Sequence, residues 1–433
     1  MKPLVVPFAY PDPNGNAYSC EELEERALRR YCFWDAPTTV EWFQARGYTL
    51  YKRFSLDPKD QTSPDPSWTA PRIESRCESN GQYPYAFYDN FKMEEDEPDL
   101  AAVEESGSVV FAQDQQGHQV AIKLVPNDSD EIRIYRLIYA QDIETLKERC
   151  ILPVLNILSS TTHSFVVMPR WGAYPIDPAL ASLSELVEFI HCLLKGLVFL
   201  HKNNIAHRDI SFRNIVMNHF SSQPSMYANE ARRKLRGDKL ASYAIIDYNI
   251  SVIAPEGVER SKFLLPAELS RDSANGVPDT EQGELDYDPF AWDVGTLGAI
   301  LSTQYQYFCG DLPLLAPLLD SMTTRDVSRR FTAAQALEFF ETEVSLLDKD
   351  ALLTPIRMPN YRKHHEVYDR WKDIPEPLAI KWRDYRCAKI TRWTYFLRWM
   401  CVGNGRGEKL VMTIRRAARL VFWLLEPDRQ RLL

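Results

Sequence analysis

The chain reads as an α+β protein of two lobes, a small strand-rich one followed by a larger helical one. Two patterns predict this. Around "SVVFAQDQQGHQVAIKLV", apolar and β-branched runs flank Gly117 as two strands flank a hairpin turn. Beyond Pro178, "LSELVEFIHCLLKGLVFLHKN" spaces its apolar residues for a helix of about five turns. Strands gathered first and helices afterwards argue for α+β rather than an alternating sheet. At 433 residues and 45% hydrophobic, the chain can bury a large core. The expected organisation is an N-terminal extension over 1–90, the two-lobed domain over 91–345, and a basic, aromatic-rich helical C-terminal extension over 346–433.

Taken in order, "SCEELEERALRRYCFW" predicts a short helix capped by Ser19. "TTVEWFQARGYTLYKRF" predicts a second helix ended at Gly47, then a short strand. Prolines make "DPKDQTSPDPSWTAPR" at 57–72 a loop, and the acidic "MEEDEPDLAAVEES" a solvated boundary. After the hairpin, "SDEIRIYRLIYAQ" predicts a helix capped by Ser129, and "ILPVLNIL" and "SFVVMPRW" two more strands. The long stretch between Asn214 and Asp247 predicts an inserted loop over roughly 219–240.

Charge and cysteines narrow the function classes. The net charge of −9 argues against general nucleic-acid binding. It is unevenly spread. From Lys381 to Leu425, eleven Lys or Arg face only Asp384 and Glu408, a local +9 that leaves −18 for the remainder. Eight scattered cysteines without a C-x-x-C pair read as thiols in a reducing compartment, not as a disulfide frame or zinc site. No H-E-x-x-H occurs, and His364–His365 sit among loop-like residues. "MKPLVVPFAYPDP" is unlike a secretory signal, and no apolar run reaches the ~18 residues of a spanning helix. The cell interior, and within it the cytoplasm, is the expected location.

The chemistry-bearing residues fall in a fixed order. "VAIK" puts Lys123 on a predicted strand, "HRDISFRN" spans 207–214, and "AIIDYN" ends a predicted strand at Asp247. Strand Lys, helix Glu, loop Asp and Asn, and strand-end Asp form the protein-kinase signature set. From about Val103 to Phe340 the sequence resembles eukaryotic protein kinases. "LLKGLVFLHKNNIAHRD", "DPFAWDVGTLG" and "SRRFTAAQAL" resemble further kinase segments in the same order. The flanks "EWFQARGYTLYKRF" and "VVMPRWG" look like those of fungal kinase-like proteins.

The resemblance implies ATP and Mg²⁺ as cofactors and a protein substrate. Phosphoryl transfer asks the protein mainly to position phosphates and neutralise charge. Asp209 would accept or orient the acceptor proton, Lys123 would grip the α- and β-phosphates, and Asn214 and Asp247 would hold Mg²⁺ through hard oxygens. Glu131 is the expected helix carboxylate for Lys123, although it follows by only eight residues; Glu144 is the reserve. Gly107, Val110, Ala121, Lys123, Met168, Trp171 and Val216 are expected around the nucleotide. Asp293 would brace the loop backbone at His207–Arg208, and Arg208 would receive an activation-segment phosphate. Arg330 would pair with the Glu closing that segment, with Glu268 preferred over Glu256 and Glu281.

Several positions depart from the family pattern. "AVEESGSVVFA" holds only Gly107 where G-x-G-x-x-G is implied. The metal triplet is Asp247-Tyr248-Asn249 instead of Asp-Phe-Gly, with Asn tolerated at a positive φ. These departures keep a pseudokinase scaffold open beside an active Ser/Thr, less readily Tyr, kinase. A small-molecule phosphotransferase is the third reading. The basic tail also has three: a helical extension packing its aromatics on the domain, a membrane-surface contact through 410–425, and a nucleic-acid contact without a recognisable module.

Overall fold

The computed structural model describes residues 4–8, 20–54, 67–73, 80–89, 98–222, 229–359, 363–364, 366–402 and 405–425. The expected cap Ser19 and residues 93–97 of the acidic boundary lie outside them; the rest of that boundary is not a solvated segment, since Leu100 and Ala101 are buried and Ala102–Glu104 form a strand. The chain divides into two compact units: residues 1–181, 188–196 and 212–249, and residues 182–187, 197–211 and 250–433.

The first unit opens with helices α1 (Cys20–Asp35) and α2 (Pro37–Gln44), then strands β1 (Thr49–Leu50), β2 (Lys52–Phe54), β3 (Ser67–Ala70), β4 (Phe87–Tyr88) and β5 (Ala102–Glu104). The hairpin follows as β6 (Val109–Gln113) and β7 (Gln119–Pro126), turning through Gly117 at φ 83°. Helices α3 (Asp130–Tyr139) and α4 (Ile143–Glu148) precede β8 (Asn156–Ser159) and β9 (His163–Pro169). Five antiparallel strands form one sheet in the order β1-β6-β7-β9-β8, with Phe111 opposite Ala121 and Lys123 opposite Val166.

Because successive strand residues face opposite sides, β6 and β7 split their side chains between two tasks. Val110, Ala112, Val120, Ile122 and Leu124 bury into a core with Phe165 and Val167. The helices expected as part of an extension cover that face with Trp34, Trp42 and Phe43. Phe43 meets Phe165 edge-on at 5.0 Å. Each such fully buried side chain contributes about 1.5–3 kcal/mol. α2 ends as its sequence predicts: Gly47 has φ 87°, and the Tyr48 N–H returns to the Phe43 carbonyl.

Two expectations for this unit change. The loop expected at 57–72 contains β3, which pairs with β2 and β5 despite the surrounding prolines. Trp68 and Thr69 are strand formers, and one of their partner strands, β5, lies far along the chain, where local pattern is blind. The insertion expected as a loop over 219–240 includes a strand at His219–Phe220 paired with β4. After helix α5 (Leu183–Lys202), helix α6 (Glu230–Gly237) also lies within it. α6 is anchored by polar side chains: Arg232 donates to the carbonyls of Ala173, Tyr174 and Asp177, and Arg236 to Pro175 and Pro178. A helix held by buried arginines has no apolar stripe to announce it.

The second unit is mainly helical: α7 (Pro289–Tyr305), α8 (Leu315–Thr323), α9 (Ala333–Ser345), α10 (Glu376–Lys381), α11 (Arg392–Cys401) and α12 (Gly405–Leu425). Asp288 caps α7 with two backbone N–H bonds, and Thr332 and Gln335 form a capping box on α9. The tail's aromatics divide. Trp371 is buried with its indole N–H on Asp320, and Trp382 is buried, whereas Trp393, Phe396 and Trp399 stay exposed. Its arginines, expected to be solvated, are also ion-paired. Arg415 pairs with Glu284, Arg419 with Asp286 and Arg398 with Glu366. Among the described residues, no helix is long and apolar enough to cross a membrane.

Candidate active site

In the first unit a cavity of about 350 Å³ opens on the side of the sheet away from that core. Ala121, Lys123, Met168, Trp171, Val216 and Asp247 line it, together with Val109 and Phe111. Val110 does not. The expectation that it faces the nucleotide fails by strand parity: its neighbours point to the cavity and Val110 points to the core. Gly107 also falls outside the lining. Its φ of 67° turns it against α1, where an added Cβ would come 2.7 Å from Arg30 Cβ. A larger cavity of about 710 Å³ in the second unit, along 320–331 and 366–390, contains none of the expected anchors.

One ammonium organises the charged end of the smaller cavity. Lys123 Nζ lies 2.5 Å from Glu131 Oε1 and 2.6 Å from Asp247 Oδ1. Lys123 and Glu131 are buried, and Asp247 is partly open. The eight-residue spacing follows from a short connection. β7 ends at Pro126, three residues turn, and Ser129 Oγ caps α3 by accepting the Ile132 N–H at 3.3 Å. Glu131 therefore sits in the first turn of α3 beside the strand that carries Lys123, while Glu144 lies on α4. Burial pushes the Glu131 carboxyl up, against the opposing pull of the Lys123 ammonium.

Asp247 has φ 71°, a left-handed conformation that short polar residues tolerate better than most. The positive φ expected at Asn249 falls on Asp247 instead. Tyr248 fills a buried aromatic slot against Tyr135 at 5.3 Å, and its hydroxyl donates to the Ile245 carbonyl. Asn214 closes the turn Phe212–Asn214, and its carbonyl accepts the Ile246 N–H at 2.8 Å. One carboxylate and one side-chain amide suit Mg²⁺, which takes few protein oxygens and fills its shell with phosphate and water. Among the described residues there is no three-member His, Cys, Asp or Glu cluster for a metal.

The second unit holds residues 207–211, the start of "HRDISFRN", and this loop backbone is tightly bonded. Asp293 accepts the N–H groups of His207 and Arg208, both at 2.7 Å, and lies 3.0 Å from His201 Nε2. Asp209 Oδ1 accepts the Ala274 N–H at 2.7 Å and the Ser273 hydroxyl at 3.4 Å. Arg208 is the arginine that would receive a phosphate if the activation segment were phosphorylated. It is instead buried, donating to the carbonyls of Ile250 and Leu269 and to the Tyr287 hydroxyl. Its donors are held by the fold itself.

Arg330 forks onto Asp279, at 2.7 and 2.8 Å, with both side chains buried. The preferred partner Glu268 is half-exposed and lies 3.9 Å from Arg416, while Glu281 pairs with Arg398. The partner is an Asp in place of the expected Glu, preceded by Pro278, and its two oxygens match the planar guanidinium equally well. Sequence reasoning also passed over Arg170 on the cavity wall. It is buried and bonded to the Tyr51 hydroxyl and to the carbonyls of Leu100 and Ala101.

Residues 101–263 match the family described as protein tyrosine and serine/threonine kinase. This stretch is a protein kinase-like domain. It includes Lys123, Glu131, Asp209, Asn214 and Asp247, and stops before Asp279, Asp293 and Arg330. No curated protein matches the chain. The family's reaction is phosphotransfer to proteins.

Proposed function

We propose that the chain is an ATP- and Mg²⁺-dependent protein kinase acting on a Ser or Thr, less readily a Tyr, hydroxyl. The observation that carries this reading is Lys123 shared between Glu131 and Asp247 on the wall of a cavity of about 350 Å³. In this reading Lys123 grips the α- and β-phosphates and Glu131 holds its ammonium in place. Asn214 and Asp247 hold Mg²⁺, which neutralises charge on the transferring phosphoryl group. Asp209 takes or orients the proton of the acceptor hydroxyl. Ala121, Met168, Trp171 and Val216 flank the nucleotide.

The wider reading has two lobes within 91–345, and a cytoplasmic location. The likeness to fungal kinase-like proteins rests on the flanking motifs alone. A peripheral membrane contact through 410–425 would use Leu410, Ile414, Leu420 and Val421, which are exposed, while Arg415 and Arg419 pair with Glu284 and Asp286. Sedimentation of the full chain with anionic vesicles tests that contact.

The rival is a pseudokinase scaffold, favoured by a glycine-poor loop whose amides bond within the chain. Thermal shift with Mg-ATP and an autophosphorylation assay separate the two, with Asp209→Asn and Lys123→Met as controls. An active kinase gives a shifted, phosphorylated wild type and silent controls. Equal silence in all three, without a shift, rejects the enzyme.

A further inference from the structure

The loop between β5 and β6 faces the same cavity through Glu104, Ser106 and Ser108. The N–H groups of Ser106, Gly107 and Ser108 are already engaged. Glu104 Oε1 accepts the Ser106 N–H at 3.1 Å, and Oε2 accepts the Gly107 N–H. The Ser106 hydroxyl donates to the same carboxylate, and Ser108 N–H reaches Ser106 Oγ at 3.1 Å. Successive amides converging on one anion form a nest, the arrangement that elsewhere receives phosphate oxygens. Here the anion is part of the chain.

Helix α1 holds the loop in this state from behind. The Tyr31 hydroxyl donates to the Glu104 carbonyl at 2.8 Å, Arg30 Nη1 to the Ser106 carbonyl at 2.6 Å, and Trp34 Nε1 to the Gly107 carbonyl at 2.8 Å. With Gly107 already packed on Arg30 and Ala27, the loop has no room to retreat towards α1. A phosphate entering the nest must displace the carboxylate or share its amides, and like charges disfavour sharing.

We propose that Glu104 is a specificity-determining residue that fills the loop's phosphate nest with its own carboxylate and so holds down affinity for nucleoside triphosphates. The proposal rests on reading the cavity as the nucleotide pocket. It separates two parts of one ligand. The base and ribose lie against the apolar wall and feel Glu104 little, whereas the phosphates compete with it directly.

Isothermal titration of the full-length wild type, Glu104→Gln and Glu104→Ala with Mg-ATP and with adenosine tests this. Glu104→Gln keeps the side-chain shape if the smaller residue perturbs folding. The expected result is Mg-ATP affinity higher by about tenfold or more in both variants, the scale of one hydrogen bond to a charged group, with adenosine changed by less than about twofold. Mg-ATP affinity unchanged or lower in both variants overturns the proposal while leaving the nucleotide pocket intact. Equal tightening of adenosine and Mg-ATP also overturns it, because Glu104 would then shape the whole pocket. If folded wild type and variants bind neither ligand, the pocket reading falls and takes the proposal with it.

Discussion

At the Lys123 end of the cavity one ammonium faces two carboxylates, whereas at the 104–108 loop two backbone amides and a hydroxyl face a single carboxylate. In the first group one ammonium serves two carboxyl groups, and burial pushes the Glu131 carboxyl up. The second is satisfied internally and gains nothing from an added anion. The two ends of the cavity thus differ in what they hold, and each can be altered without the other.

The sharpest way to break the comparison is at Lys123. Lys123→Met leaves Glu131 buried without its cation; the expected cost is about 3–5 kcal/mol of stability, with phosphotransfer lost to background. Chemical denaturation and a radiolabel transfer assay check both. Phe43→Ala strikes the core behind both ends and should also cost about 3–5 kcal/mol. Because it favours neither end, the ratio of Mg-ATP to adenosine affinity should hold at the wild-type value in titration. Ser129→Ala removes the α3 cap and touches only the Lys123 end, costing about 1 kcal/mol and quickening hydrogen exchange over the first turn of α3. Tyr31→Phe touches only the loop end. Losing its bond to the Glu104 carbonyl should cost about 0.5–1.5 kcal/mol and slightly raise Mg-ATP affinity, measured beside the Glu104 variants.

Much of this contrast was legible in the residues, but unevenly. Lys123, Asp247 and the helix at 130–139 announced themselves by strand pattern, a Ser cap and motif order, and Glu131 needed only the short turn before it to be understood. The loop gave a weaker signal. The single glycine gives no sign that the Glu104 carboxylate accepts the loop's amides, because that depends on folded amide geometry. Val110 was misplaced by one residue of strand parity, which changes the face it serves. Asp279 was missed because a Glu was sought, and α6 because its anchors are arginines on carbonyls and not an apolar stripe. Local periodicity records what is buried against solvent; it does not record which polar group meets which.

The three residues between β7 and α3 carry a last consequence. Three residues reach about 10–11 Å at full stretch, and here they also make a turn and a cap. So short a tether keeps the first turn of the helix, and Glu131 with it, within reach of the strand that carries Lys123.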